Sequence, residues 1–484
     1  MQRNSAAAAR LSATPEPPLV VDLDGTLVKG DLLAQSFFAL MSVRPFRALR
    51  TLAVLCRGKA AFKAAVAAYA SIDCNALPFN PELLALLRAE RAKGRAIYLA
   101  SASDRRVAAA VASAVGVFDG VFASDGAINL AGAAKAAALV EIFGAGGFDY
   151  VGNARVDLPV WNAARAVWLA GADARLQRRV VARFPEARIV DPAQRHLDDY
   201  LRTLRVHQWL KNLLIVVPAA TAHRFLPATA LTLALAVLSF SLCASSAYIA
   251  NDLLDLGNDR AHARKRERPL AAGRVPLGHA LALMPMLLVA AVGLAWPLPR
   301  GFLALLAAYY VLTLGYSLVL KRKVLVDIII LACLYGMRLA AGAIAIVVPL
   351  SAWFVAFSVF FFLCLALVKR CTEIADRIAK GGGDPKGRGY IQRDLPMLEA
   401  MAAGTGYVAI MIFALYINSP AVTALYRSPE YLWAICLVLF YWISRILLLT
   451  HRGEMHDDPV VFAATDLKSL ACGALVVIIA ALSI

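Results

Sequence analysis

The chain has 484 residues, of which 60% are hydrophobic, and its mean hydropathy is +0.65. A soluble protein rarely reaches that value, so the composition excludes a wholly soluble globular fold. The formal net charge of +17 would suggest nucleic acid in a soluble protein; here the basic residues cluster beside apolar runs, so anionic lipid, phosphorylated substrate and membrane orientation account for them and no nucleic-acid partner is expected.

No cleavable signal peptide is visible, and residues 1–17 read as a loose tail of Ala, Pro and polar residues. Residues 18–195 alternate short apolar runs with helical patterns, which predicts a parallel α/β sheet. Three strand ends are clear: Pro18 to Asp24, Ala96 to Ser101, and Phe148 to Asn153. Residues 30–90 carry no clear strand and read as an inserted helical cap. A linker is expected over 191–206, so that residues 196–484 form the second domain.

The first strand ends in Val20-Val-Asp-Leu-Asp-Gly-Thr-Leu27. Asp22 can attack a phosphoryl group, and Asp24 can carry the proton to the leaving oxygen. Gly25 and Thr26 permit the tight turn that aims them. Ser101 follows the next strand, Lys135 opens a helix, and Asp157 follows Val-Gly-Asn; Asp22 and Asp157 would hold Mg²⁺. For Lys135 alone, a solvated lysine at a helix start is the plainer reading, and its order between Ser101 and Asp157 is what lifts it.

In that order these residues resemble the haloacid dehalogenase (HAD) superfamily, in its phosphatase branch, over about 175 residues. The resemblance implies a Rossmann-like domain with a helical cap. It assigns Asp22, Asp24 and Thr26 to the first motif, Ser101 to the second, Lys135 to the third and Asp157 to the fourth, with Asp22, Asp24 and Asp157 around Mg²⁺. The fourth motif usually opens Gly-Asp, and here it is Gly152-Asn153. An amide adds no charge, which implies weaker metal binding.

Nine membrane helices are expected beyond the linker, over 208–222, 229–250, 278–297, 300–320, 325–345, 351–369, 398–418, 431–450 and 462–483. The first is short and interrupted by Pro218. Positive charge gathers in the connections Arg260 to Arg274, Lys321 to Lys323, Lys369 to Arg393, and Arg445 to Lys468. The positive-inside rule makes these loops, and the amino-terminal domain, cytoplasmic at a bacterial-type inner membrane. The eight cysteines show no metal-ligand spacing, and Cys243, Cys333 and Cys364 read as small core residues inside spans.

Between the second and third spans stands Asn251-Asp-Leu-Leu-Asp-Leu-Gly-Asn-Asp259, followed by a basic run to Arg268. Asp252, Asp255 and Asp259 fall at i, i+3 and i+7, one face of a helix. Three acids on one face repel unless a cation sits among them, and Mg²⁺ leaves room for substrate phosphates. Lys265, Arg266 and Arg268 can hold those phosphates.

This stretch resembles the first motif of the UbiA superfamily of intramembrane prenyltransferases, over about 280 residues. The resemblance implies that Asn251, Asp252, Asp255 and Asp259 bind Mg²⁺-diphosphate, with Lys265 and Arg268 on phosphate. The usual second aspartate pair is missing: the segment reads Lys369-Arg370-Cys-Thr-Glu373 and then Lys386-Gly-Arg388-Gly-Tyr390, with Glu373 and Asp376 the acids that follow Arg370 most closely. With the segments around Lys211-Asn212, Tyr316 to Lys321 and His451 to Pro459, this is similar to the UbiA branch that includes decaprenyl-phosphate phosphoribosyltransferase. That branch moves phosphoribosyl from phosphoribosyl diphosphate onto a polyprenyl phosphate. Lys211, Tyr316, Lys321, Lys369, Arg370 and Arg388 are then expected on substrate, against the plainer reading of cytoplasmic-edge anchors. His451 and His456 read more simply as loop residues than as metal ligands. The alternative is prenyl transfer to an aromatic or other lipophilic acceptor. A third reading is a lipid-binding membrane protein with a regulatory soluble domain.

Overall fold

The computed structural model describes residues 16–70, 72–192, 196–224, 226–262, 264–379, 389–455 and 458–484. Lys386, Arg388 and His456, together with most of the expected amino-terminal tail, lie outside these residues. The chain divides into two compact units. One runs to Thr203 and includes Asn251–Ala282; the other comprises Leu204–Ala250 and Leu283–Ile484.

The first unit holds a six-stranded, wholly parallel sheet in the order β3-β2-β1-β4-β5-β6: β1 Leu19–Val21, β2 Ile97–Asp104, β3 Gly120–Ser124, β4 Asp149–Gly152, β5 Val167–Ala170 and β6 Arg188–Asp191. In β1 every side chain is fully buried, as a central strand covered on both faces requires. It pairs with β2 (Val20 opposite Tyr98) and β4 (Val20 opposite Tyr150). The direction of the strand order changes between β1 and β4, and in open parallel sheets the carboxyl ends at such a reversal form the binding crevice. Asp22 follows β1 and Asn153 follows β4, so both stand at that point.

Residues 30–90 are helical as expected, in Leu32–Val43, Pro45–Leu52, Lys59–Ala67 and Pro81–Ala92. Pro81 starts the last of these, and Asn80 caps it by accepting from Leu83 N at 3.2 Å.

At the opposite, amino-terminal edge of the strands Arg95 is buried. It donates to Pro17 O at 2.8 Å and to Glu90 at 3.1 Å, and it pairs with Asp149, which Arg165 also grips at 2.7 Å. A buried carboxylate needs such partners.

The second unit is helical. With Leu277–Ala295, which begins in the first unit, the described residues hold seven helices long and apolar enough to cross a membrane: Pro227–Leu254, Leu277–Ala295, Arg300–Leu318, Val326–Ala345, Ala352–Ala379, Gln392–Ile417 and Pro429–His451. An eighth is reached if Pro459–Thr465 and Leu467–Ser483, bent by 81° at Asp466, count as one span. The chain is a polytopic membrane protein, but nine spans are not found. The expected first span is a 3₁₀ run, Val206–Val216, followed by only one turn of α-helix, Val217–Thr221. Pro218 stands at the start of that turn, where its missing N–H does no harm.

Cys243 and Cys364 are buried as expected, whereas Cys333 is exposed on the face of Val326–Ala345 that turns outward.

Replacing Arg95 with Leu leaves Asp149 with the half-exposed Arg165 alone. We expect the sheet domain of the full-length protein to lose about 3 kcal/mol, the low end for breaking a buried ion pair, read as a lower urea midpoint. An unchanged midpoint would show that the pair holds nothing.

Candidate functional sites

Asp22, Thr26, Lys135 and Asp157 converge at the β1/β4 crevice. Lys135 Nζ donates to Asp22 Oδ1 at 2.6 Å and stands 3.7 Å from Asp157 Oδ1, with 2% of the residue exposed. Thr26 Oγ1 donates to Asp22 Oδ2 at 3.3 Å. Asp157 is held by the Tyr150 hydroxyl (3.0 Å) and by the backbone amides of Asn153 (3.2 Å) and Ala154 (3.1 Å). Burial and the neighbouring Asp22 push Asp157 up, against the pull of Lys135.

Asp24 faces the cap. Its carboxylate accepts from Leu32 N at 2.7 Å, Ser103 Oγ at 2.6 Å and Ser101 Oγ at 3.4 Å. Burial and the Asp31 carboxylate push it up to about 6, against the bonds from Ser103 and Leu32. A carboxyl group in that range can give and take a proton near neutral pH.

The turn between them needs Gly25. It has φ +78°, and a Cβ there would come within 2.1 Å of Asn153 Nδ2.

Sequence reasoning missed three residues here. Ser103 bonds Asp24 more closely than Ser101 does; Tyr150 links Lys135 to Asp157; Lys63, from the cap, donates to Ala102 O at 2.6 Å and Asn129 Oδ1 at 2.8 Å. Ser103 repeats the Ser101 pattern two residues on, the same face of a strand, which was a usable signal.

Asn251 and Asp252 end the helix Pro227–Leu254, Asp255 breaks it, and Asp259 sits in the short helix Leu256–Ala261. Across the break Asp252 and Asp259 stay together. Arg268 Nη1 lies 2.6 Å from Asp259 and 3.2 Å from Asp252, both buried carboxylates. Asp255 is half-buried, and Lys265 and Arg266 are exposed. Burial pushes Asp259 up to about 6, against Arg268 and with the help of Asp252.

In the helical unit two lysines meet one carboxylate. Lys211 Nζ and Lys369 Nζ stand 2.8 and 2.7 Å from Asp458 Oδ2, and the Tyr335 hydroxyl is 3.4 Å from its other oxygen. Burial pushes Asp458 upward, but Lys369 and Lys211 outweigh it and hold the group well below the usual carboxylate range.

Arg338 is also buried. It donates to Asn212 Oδ1 at 2.9 Å and the Tyr309 hydroxyl at 3.0 Å, beneath the rings of Phe240, Tyr309 and Tyr335. Lys211 and Lys369 thus outnumber the one carboxylate they bond, with Arg338 nearby. Asp458, Arg338 and Tyr335 were not expected from sequence.

Arg370 differs from expectation. It is 1% exposed and pairs with Asp327 at 2.6 Å and with Glu373, while the Tyr390 hydroxyl also binds Asp327. It braces helices from within. Tyr316 closes the helix Arg300–Leu318, and Lys321 lies in the turn Leu320–Arg322; both are half-buried. His451 is exposed and contacts Glu399 at 3.1 Å.

The pattern of the UbiA prenyltransferase family matches residues 213–469 of the 484, more than half of the chain. The chain belongs to the UbiA prenyltransferase family. Ahead of that match, residues 19–162 match the haloacid dehalogenase-like hydrolases, so the α/β domain is HAD-like.

An uncharacterised protein, y4nM of Sinorhizobium fredii, is 37% identical over 468 residues, 95% of this chain and 89% of that protein. A decaprenyl-phosphate phosphoribosyltransferase of Mycolicibacterium smegmatis is 35% identical over 188 residues, covering 38% of this chain and 59% of that protein. A solved UbiA homologue from Archaeoglobus fulgidus, bound to DMAPP and Mg²⁺, covers 59% of this chain and 98% of its own, at 15% identity and a TM-score of 0.45.

Among the described residues no group of three or more His, Cys, Asp or Glu side chains is gathered to hold a metal ion. The expected sets Asp22, Asp24, Asp157 and Asn251, Asp252, Asp255, Asp259 are thus not drawn together as cages. Each does have two carboxylates converging on one cationic side chain, Lys135 in the first and Arg268 in the second. A divalent cation that keeps several waters fits such pairs, since it needs only one or two carboxylates from the protein.

The raised Asp24 sets a pH dependence. A carboxyl group raised in the folded state stabilises the fold fully below its ordinary range, and that stability is lost as pH rises through about 6. In EDTA, thermal unfolding of the HAD-like domain should show up to about 3 kcal/mol lost between pH 4 and 7. Asp24→Asn should flatten the profile, and an identical slope in that variant would show that Asp24 is not its source.

Proposed function

We propose that this protein transfers 5-phosphoribosyl from phosphoribosyl diphosphate to a polyprenyl phosphate, and that its HAD-like domain then removes the 5-phosphate of the lipid product. The observation that carries this reading is the surplus of cations around Asp458, buried Lys211 and Arg338 with the half-buried Lys369, in the family member whose second acidic motif is replaced by Lys369 and Arg370. Buried positive charge without a counter-charge is costly, and an anionic substrate would relieve it. A donor with a diphosphate and a 5-phosphate, and an acceptor with a phosphate, bring that charge. The similarity to decaprenyl-phosphate phosphoribosyltransferase over 188 residues supports the same choice.

In the transfer step a phosphate oxygen of the lipid bonds to the anomeric carbon. The bond from that carbon to the diphosphate breaks, and its electron pair leaves with pyrophosphate. Mg²⁺ on Asn251, Asp252, Asp255 and Asp259 would supply charge for the departing diphosphate. Arg268 and Lys265 hold phosphate oxygens at the same motif, and Lys211, Lys369 and Lys321 hold the other phosphate groups.

The isoprenoid tail fits an open apolar groove of about 830 Å³, lined by Trp209, Leu213, Leu233, Val237 and Leu238 among others.

In the second step Asp22 attacks the 5-phosphate, the bond from phosphorus to the ribose oxygen breaks, and Asp24 protonates that oxygen. Water then hydrolyses the acyl phosphate, with Asp24 accepting its proton. Lys135 and Thr26 steady Asp22 and Ser101 bonds Asp24, and Mg²⁺ on Asp22 and Asp157 would screen the incoming phosphate. The charge pattern along the loops favours the cytoplasmic side of the plasma membrane for both sites. Fusion of the two activities raises the effective concentration for the second step.

Membranes holding the full-length protein should convert labelled phosphoribosyl diphosphate and polyprenyl phosphate to a labelled lipid. Asp252→Asn with Asp255→Asn should reduce this by about a hundredfold or more, the scale for losing groups that meet a developing anion. Asp22→Asn should still make the lipid but retain its 5-phosphate. Prenylation of an aromatic acid, with no labelled lipid, would establish the usual prenyltransferase instead.

A further inference from the structure

The helix Leu32–Val43 is gripped in its first turn from two sides. On one side Leu32 N donates to Asp24 Oδ1 at 2.7 Å. On the other, Gln35 Oε1 accepts from Arg260 Nη1 at 2.7 Å. Arg260 follows Asp259 of the UbiA motif, so a residue of that motif reaches the phosphatase cap within the same compact unit.

Gln35 is 4% exposed on a helix face otherwise made of Leu32, Ser36 and Leu40. A buried amide needs partners, and a guanidinium gives its oxygen a charge-assisted one. Its Nε2 is buried with no hydrogen-bond partner and points at Gly30, where a Cβ would come within 2.6 Å of it. The Gly30 carbonyl in turn accepts from Gly25 N at 3.0 Å, next to Asp24.

Arg260 is itself fixed, with Nε donating to Ala271 O at 2.9 Å. Two residues on, Gly273 (φ +70°) lies so close to the same catalytic loop that a Cβ would stand 2.3 Å from Lys29 O.

We propose that Arg260 is a positioning residue of the phosphatase: through Gln35 it fixes the helix turn whose Leu32 amide aims Asp24. This rests on the phosphatase reading given above. It also makes the UbiA motif segment a structural part of the second active site.

The chemistry provides a selective readout. Proton donation by Asp24 matters most when the leaving oxygen is a poor one, such as the primary alkoxide of a sugar. It matters little for p-nitrophenolate. A merely structural defect would lower both alike.

The test uses the full-length protein in detergent with ribose 5-phosphate and p-nitrophenyl phosphate. Arg260→Ala should lower kcat/KM on the sugar phosphate about tenfold or more, a part of what general acid catalysis contributes, and on the aryl phosphate by no more than about twofold. Arg260→Lys, which keeps a cationic donor, should recover most of the loss. Gln35→Met keeps the volume without the acceptor and should reproduce the selectivity, which keeps the test decisive where Arg260→Ala does not fold. The double variant should lose no more than either single change. Equal losses on the two esters, no loss, or losses that multiply would overturn the role of Arg260. Phosphate release by Asp22→Asn on either ester would sink the phosphatase reading itself.

Discussion

Carboxylates that are crowded together and withdrawn from water demand a cation, and this protein answers that demand twice with its own side chains. At the end of β1, Asp22 and Asp157 share Lys135. In the UbiA motif, Asp252 and Asp259 share Arg268. Burial, with the second carboxylate of each pair adding to it, raises Asp157 and Asp259 against the pull of Lys135 and Arg268. The helical unit inverts the arrangement, setting two lysines on Asp458 with Arg338 nearby. Acidic clusters of this kind suit a divalent cation, and a cationic cluster suits phosphate.

How much of this is readable without coordinates depends on the reach of each interaction. The parallel sheet is legible because its strands are short apolar runs, and Asp22 and Asp24 are legible because the turn that presents them lies within a few residues. Lys135 is a harder case. Nothing near it in sequence separates it from a solvated lysine, and its value comes from Asp22, 113 residues away. Ser103 and Tyr150 act across the sheet in the same way. Asp458 and Arg338 are invisible for the same reason: an aspartate beside a proline reads as a helix cap, which Asp458 also is, and only the fold shows two lysines on its other oxygen.

The membrane domain shows where composition misleads. An apolar stretch from 208 to 222 has the hydropathy of a span, but backbone geometry decides whether it forms one. Here the chain takes a 3₁₀ path through Val216 and manages only five residues of α-helix after it. Arg370 is a parallel lesson in charge. Beside Lys369 in sequence, it looks equally available, yet successive residues of a helix face different ways. Lys369 turns to Asp458, while Arg370 turns inward to Asp327.

The placement of residues 251–282 bears on why a HAD-like and a UbiA domain share a chain. A tether alone would raise local concentration and ask nothing of the motif's sequence. The contacts found are more specific than a tether requires: Arg260 on Gln35, Gly273 against Lys29 O, and Arg274 on Asp199 at 2.8 Å. All three lie in or just after the stretch that carries the UbiA acids, and two of them touch the segment that follows Asp22. Changes at Arg260 or Gly273 would therefore alter contacts with the loop and helix that follow Asp24. The basic run after Asp259 thus answers to two demands at once. Arg268 meets the carboxylates of its own motif, while Arg260 reaches Gln35 of the HAD-like domain and Arg274 reaches Asp199 in the linker.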